Sequence, residues 1–101
     1  MSEAFHYKDG EFYAEEVPLS RIAESVGTPC YVYSYAALKN AFTGYRNAFS
    51  DIATLICYSV KANSNLAILK SFADLGSGFD IVSLGELIRV KRAGGDTSKV
   101  V

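Results

Sequence analysis

No stretch of this sequence approaches the roughly 20 consecutive apolar residues that a membrane span requires. The apolar-rich stretches Tyr31–Leu38 and Ile52–Val60 both fall well short, so no membrane partner is expected. The basic residues form no stripe that could track phosphates, and ten Lys and Arg against eleven Asp and Glu leave a net charge of −1. Nucleic acid is therefore not expected as a partner. Cysteine is scarce: Cys30 and Cys57 have no neighbouring Cys or His at zinc-ligand or CxxC spacing. They read as free, partly buried thiols, and no metal site is expected. The opening residues, Met1-Ser2-Glu3-Ala4-Phe5-His6, lack the basic region and apolar run of a secretory signal, which makes cytoplasm the expected location. Internal repeats and low-complexity segments are also missing.

What is present is the composition of a soluble globular protein of at most one domain, 101 residues that are 50% hydrophobic and 21% charged. Asp9-Gly10 lies between the aromatic runs Phe5-His6-Tyr7 and Phe12-Tyr13, a hairpin signal that makes residues 1–17 strand and turn. Leu19, Ile22, Ala23 and Val26 recur at helical spacing between Pro18 and Gly27, which predicts a short helix. Cys30-Tyr31-Val32-Tyr33 has the β-branched and aromatic content of a strand. Ser34 then caps a helix whose face Tyr35, Leu38, Phe42, Tyr45 and Phe49 is expected as core.

The second half alternates more regularly. Leu55 to Val60 reads as a strand buried on both faces. Asn63-Ser64-Asn65 caps a helix with Leu66, Leu69, Phe72 and Ala73 inward and Gly76 at its end. Gly78 to Val82 is the next strand. Ser83-Leu84-Gly85-Glu86 has the capping-box form and opens a helix with Leu84, Leu87 and Ile88 inward, ending at Gly94-Gly95. Ser98 to Val101 begins another strand. Strand, helix, strand, helix, strand with short connections is a run of βαβ units. The fold class is therefore α/β. A (β/α)8 barrel takes about 250 residues, so these residues would hold only its first two units, and the chain is expected to be a fragment.

In such a barrel, catalytic groups stand where strands end and loops begin. Lys61 stands at such a place. A lysine closing a buried strand can be partly desolvated, which favours the neutral amine that attacks an aldehyde; the alternative is a lysine that merely reaches to solvent. Asp80, on the next strand, could orient that lysine or adjust its charge, or simply cap a loop. For Glu86 the local reading is a capping-box bond to the Ser83 backbone.

Three segments carry a resemblance. Tyr58-Ser59-Val60-Lys61-Ala62-Asn63-Ser64-Asn65 is similar to the YAVKAN segment of pyridoxal-phosphate enzymes with the alanine-racemase-like barrel. Gly76-Ser77-Gly78-Phe79-Asp80-Ile81-Val82-Ser83-Leu84-Gly85-Glu86-Leu87 resembles the G-x-G-F-D-V-x-S-x-G-E-L segment of the decarboxylases of that family. Gly27-Thr28-Pro29-Cys30-Tyr31-Val32-Tyr33 resembles their G-T-P-x-Y-V-Y signature. Ser59 stands where Ala is usual, and Leu84 where Gly is frequent.

The resemblance implies pyridoxal 5′-phosphate as cofactor, with Lys61 bearing it and Asp80 and Glu86 close by. It implies that residues 1–34 form a strand and helix segment contributing to a C-terminal β domain, and that residues 35–101 are the first, incomplete units of the cofactor-binding (β/α)8 barrel. Within the family the motif wording is nearest the branch that decarboxylates meso-2,6-diaminopimelate to L-lysine. Ornithine, arginine or carboxynorspermidine decarboxylases, or a non-catalytic pyridoxal-phosphate-binding homologue, are the alternatives. An amino-acid substrate, a homodimer of the complete protein, and no activity in the fragment alone complete the expectations.

Overall fold

The computed structural model describes residues 3–101, so the first two positions of the segment expected as strand and turn lie outside the described residues. Two compact units, residues 1–40 and 41–101, divide the chain.

In the first unit, β1 (Phe5–Lys8) and β2 (Glu11–Ala14) pair antiparallel with Phe5 opposite Ala14 and Lys8 opposite Glu11. Asp9 and Gly10 both take positive φ, the conformation that Asp-Gly favours in a tight hairpin. The register places His6 against Tyr13 and Tyr7 against Phe12, with ring centroids 5.7 and 4.6 Å apart, and such cross-strand pairs stabilise a sheet. A short β3 (Val17–Pro18) completes the order β1-β2-β3. Helix α1 (Leu19–Val26) starts after Pro18 and stops at Gly27, whose φ of 84° suits glycine.

The segment Cys30–Tyr33 departs from expectation: it forms no strand. Its residues have strand-forming side chains but no ladder partner among the described residues, and strand propensity is realised through pairing and burial. Tyr31 is 90% exposed. Both thiols are free, as expected, but Cys30 is exposed and only Cys57 is part-buried.

Helix α2 (Tyr35–Ala48) begins where expected, with the Ala37 N–H donating to Ser34 Oγ at 3.0 Å. Glu15 reinforces that start: its carboxylate accepts from Ser34 Oγ at 2.8 Å and from the Ala36 N–H at 3.2 Å. The Ala36 amide, then the Ser34 hydroxyl, hold the Glu15 carboxyl below its ordinary value of 4.5. The aromatic face of α2 is not a core along its length. Phe42 alone is buried, edge-on to Phe72 at 6.2 Å, whereas Tyr35, Tyr45 and Phe49 are exposed.

The second unit has the expected βαβ rhythm. β4 (Cys57–Ser59) and β5 (Gly78–Asp80) are parallel, with Cys57 opposite Gly78 and Ser59 opposite Asp80. Between them runs α3 (Leu66–Asp74), and α4 (Leu84–Arg92) follows β5. The next strand starts as Val100, bridged in parallel to Phe79, after a 3-10 turn at Thr97–Lys99. β4 is shorter than predicted at both ends: Leu55 and Ile56 precede the ladder, and Val60 leaves it for a second 3-10 turn, Val60–Ala62. Val60, Leu69, Phe79 and Val90, all fully buried, make the core, and Tyr58, Phe72, Ala73, Ile81, Ala93 and Val100 pack against it.

On α4 the inward face differs from prediction. Leu84 and Ile88 are exposed and Val90 is the buried residue. Val90 and Ala93, spaced by three, form a competing stripe that turns Val90 into the core with Ala93 packed against it. Gly78 lets the strands close up: a Cβ there would lie 2.6 Å from the Lys99 carbonyl and 2.7 Å from Cys57 Sγ.

Candidate functional site

Because β4 and β5 are parallel and Ser59 faces Asp80, both strands end on one edge of the sheet. Side chains just past such ends stand at the rim of the core. Lys61 follows β4 by two residues, in the turn Val60–Ala62, and Asp80 is the last residue of β5. Each follows a fully buried anchor, Val60 and Phe79 respectively, and each is itself exposed. The partial desolvation expected of Lys61 is therefore not supplied by this chain, because the turn swings it out of the ladder. Its ammonium makes no ion pair or hydrogen bond among the described residues.

The backbone beyond Lys61 is held at successive points. The Asn63 N–H closes the turn on the Val60 carbonyl at 3.1 Å. Tyr58 Oη donates to the Asn63 carbonyl at 2.8 Å, and Arg89 Nη1 donates to the Ser64 carbonyl at 3.1 Å. Asn63 Oδ1 accepts from the Asn65 N–H, and Asn65 Oδ1 accepts from the Ala67 N–H as the cap of α3. The Tyr58 ring stacks on Phe72, with centroids 4.1 Å apart. Neither the Tyr58 bond nor the Arg89 bond to this backbone was expected from the sequence. Strand position and the word Tyr-Ser-Val-Lys pointed to the lysine, and an arginine on an amphipathic helix carries no signal of its partner.

Glu86 sits in the first turn of α4. Ser83 Oγ accepts from its N–H at 3.2 Å, which is half of the expected box. The other half is displaced: Glu86 Oε1 accepts from the N–H of Val82, one residue before Ser83, at 2.8 Å. Val82 lies beyond the end of β5, and this bond satisfies its amide. Glu86 thereby braces the loop that follows Asp80.

The structure thus brings Lys61 and Asp80 to one edge and gives Glu86 a loop-holding bond. An uncommitted primary amine beside a carboxylate-bearing strand end is a donor set that fits an aldehyde cofactor. Among the described residues no group of His, Cys, Asp and Glu is placed to hold a metal ion. A cleft of about 1490 Å³, lined by Phe5, His6, Tyr13, Glu15, Val17 and Ala37 among others, belongs to the first unit and contains none of the three candidates.

Comparison with known proteins gives the family. The pyridoxal binding domain of the pyridoxal-dependent decarboxylases matches residues 35–101. The chain is 58% identical over 89 residues to a diaminopimelate decarboxylase of Neisseria meningitidis serogroup A, covering 88% of this chain and 22% of that protein. It is 54% identical over 99 residues to one of Pseudomonas aeruginosa, covering 98% and 24%. A crystal structure of diaminopimelate decarboxylase from M. jannaschii in complex with L-lysine superposes with a TM-score of 0.89 at 36% identity, over 97% of this chain and 24% of that one. The chain spans about a quarter of the length of these relatives. The parallel units of β4, α3, β5 and α4 are accordingly the start of a (β/α)8 barrel, and the chain belongs to the family of pyridoxal-dependent decarboxylases, in the pyridoxal-binding domain.

Proposed function

We propose that this chain is the N-terminal part of an enzyme that decarboxylates meso-2,6-diaminopimelate to L-lysine, with Lys61 as the residue that carries pyridoxal phosphate. The observation that carries this reading is the Lys61 amine, without a partner among the described residues, on the same strand-end edge as Asp80, inside a domain of a pyridoxal-dependent family. The choice of substrate is supported by the 58% and 54% identity to enzymes named for diaminopimelate.

When bound, pyridoxal phosphate supplies a ring that takes up the electron pair left behind as carbon dioxide departs. Lys61 would hold the group through its amine. Asp80, on the adjacent strand end, is the carboxylate available to hold or move a proton at that nitrogen. Glu86, through the Val82 N–H, keeps the loop after Asp80 in place, and in this reading it also lies by the cofactor. Residues 1–34 contribute their antiparallel strands to a β domain completed by later sequence, and residues 35–101 are the first barrel units. The complete enzyme is a homodimer in the cytoplasm, and among the described residues no helix is long and apolar enough to cross a membrane.

Carbon dioxide release by the full-length protein, measured with meso-2,6-diaminopimelate, lysine, ornithine and arginine in parallel, tests the substrate. Release from diaminopimelate well above the others is expected. Preference for ornithine or arginine would overturn the substrate assignment.

A further inference from the structure

Resting on the reading of Lys61 as the cofactor lysine, we infer that Tyr58 and Arg89 are positioning residues that fix Lys61 by clamping consecutive carbonyls of the loop behind it. Lys61 sits in a single 3-10 turn, and one internal bond, Asn63 N–H to the Val60 carbonyl, closes that turn. So short a turn has little cooperative stability of its own. The next two carbonyls, of Asn63 and Ser64, have nothing to accept from within the turn, and each receives a side-chain donor from a different element. Tyr58 reaches Asn63 from β4, at 2.8 Å, and Arg89 reaches Ser64 from α4, at 3.1 Å.

The Tyr58 ring is packed, and Arg89 is carried by a helix anchored in the core. The Tyr58 ring lies on Phe72 of α3. Arg89 is on α4, next to the core residue Val90, and α4 begins at the cap formed by Ser83 and Glu86. The helix that follows the Asp80 strand therefore holds the loop that follows the Lys61 strand. Through Arg89, the two βα units are locked to each other at the edge where Lys61 and Asp80 stand. An exposed arginine on a helix otherwise contributes little, but here it donates to a backbone carbonyl 25 residues away.

The test uses the full-length protein loaded with pyridoxal phosphate and the variants Tyr58→Phe, Arg89→Met, their double, and Arg89→Lys. The readouts are the rate of borohydride labelling at Lys61, local amide exchange over residues 61–66, and kcat and KM for the amino acid. Misplacing a reacting group by about 1 Å can cost about 100-fold, so the double variant is expected to lose at least about tenfold in labelling rate and in kcat. KM stays near the unsubstituted value, and faster exchange is confined to residues 61–66. Arg89→Lys, which keeps a cationic N–H donor on a long side chain, loses less than Arg89→Met.

Tyr58→Phe keeps the stacked ring and removes only the hydroxyl, so it decides the matter if the double variant is globally loosened. Unchanged labelling and unchanged local exchange in Tyr58→Phe and Arg89→Met overturn the inference while leaving Lys61 as the cofactor lysine. Label on a different lysine in the unsubstituted protein overturns both.

Discussion

Replacing Gly78 with alanine tests the packing that holds the two strand ends in register. The added methyl would lie 2.6 Å from the Lys99 carbonyl and 2.7 Å from Cys57 Sγ, well inside the 3.4 Å at which ordinary contact begins. Cys57 can rotate its thiol away. The Lys99 carbonyl is backbone, next to the Val100 bridge to Phe79, and cannot yield without shifting that bridge. Overpacking of a filled core costs about 1–3 kcal/mol, and a backbone obstacle puts this case at about 3 kcal/mol. Gly44, in the middle of α2, is the matched control: a methyl there meets nothing within 4 Å. Alanine at that position should stabilise by about 0.5–1 kcal/mol, since glycine is the costlier residue within a helix. Urea denaturation of the full-length protein measures both through the unfolding midpoint at constant slope. A Gly78→Ala protein as stable as the parent, or a Gly44→Ala change that destabilises more than Gly78→Ala, would refute the packing described for β4, β5 and the following strand.

Other consequences follow from the same structure. Leu69, fully buried in the core, should cost about 2–5 kcal/mol when changed to alanine, read by the same denaturation. Ser83→Ala removes the acceptor for the Glu86 N–H and should cost about 1 kcal/mol, with amide exchange rising first at the start of α4. Glu15 has a depressed pKa when folded, so its bond to the start of α2 contributes stability that is present above pH 4.5 and lost as pH falls through the lower folded value. Amide exchange at Ala36 and Ala37 should accelerate below that pH, and Glu15→Gln should flatten the dependence. A pH profile for the Gln variant that matches the parent's would contradict the role given to this cap.

The βαβ rhythm was legible because it is written in local signals. Asn65 and Ser83 cap helices, Gly76 ends one, and the apolar runs around Cys57 and Phe79 form the paired strands. What failed depends on partners. Cys30–Tyr33 has strand side chains without a neighbouring strand, and the aromatic face of α2 is covered only at Phe42. On α4 two apolar stripes of helical period overlap, and only packing selects Val90 over Leu84 and Ile88. At the candidate site, Lys61 and Asp80 were readable as candidates from strand ends and motif wording. Tyr58 and Arg89 were not, because a bond to a backbone carbonyl leaves no pattern in the sequence.

Borohydride reduction of the full-length protein loaded with pyridoxal phosphate, followed by peptide mass mapping, bears most directly on the assignment of Lys61. The pyridoxyl group is predicted on the peptide containing Lys61 and nowhere else, and Lys61→Ala should abolish both the label and decarboxylation. Stoichiometric label on another lysine, or full activity in Lys61→Ala, would contradict it.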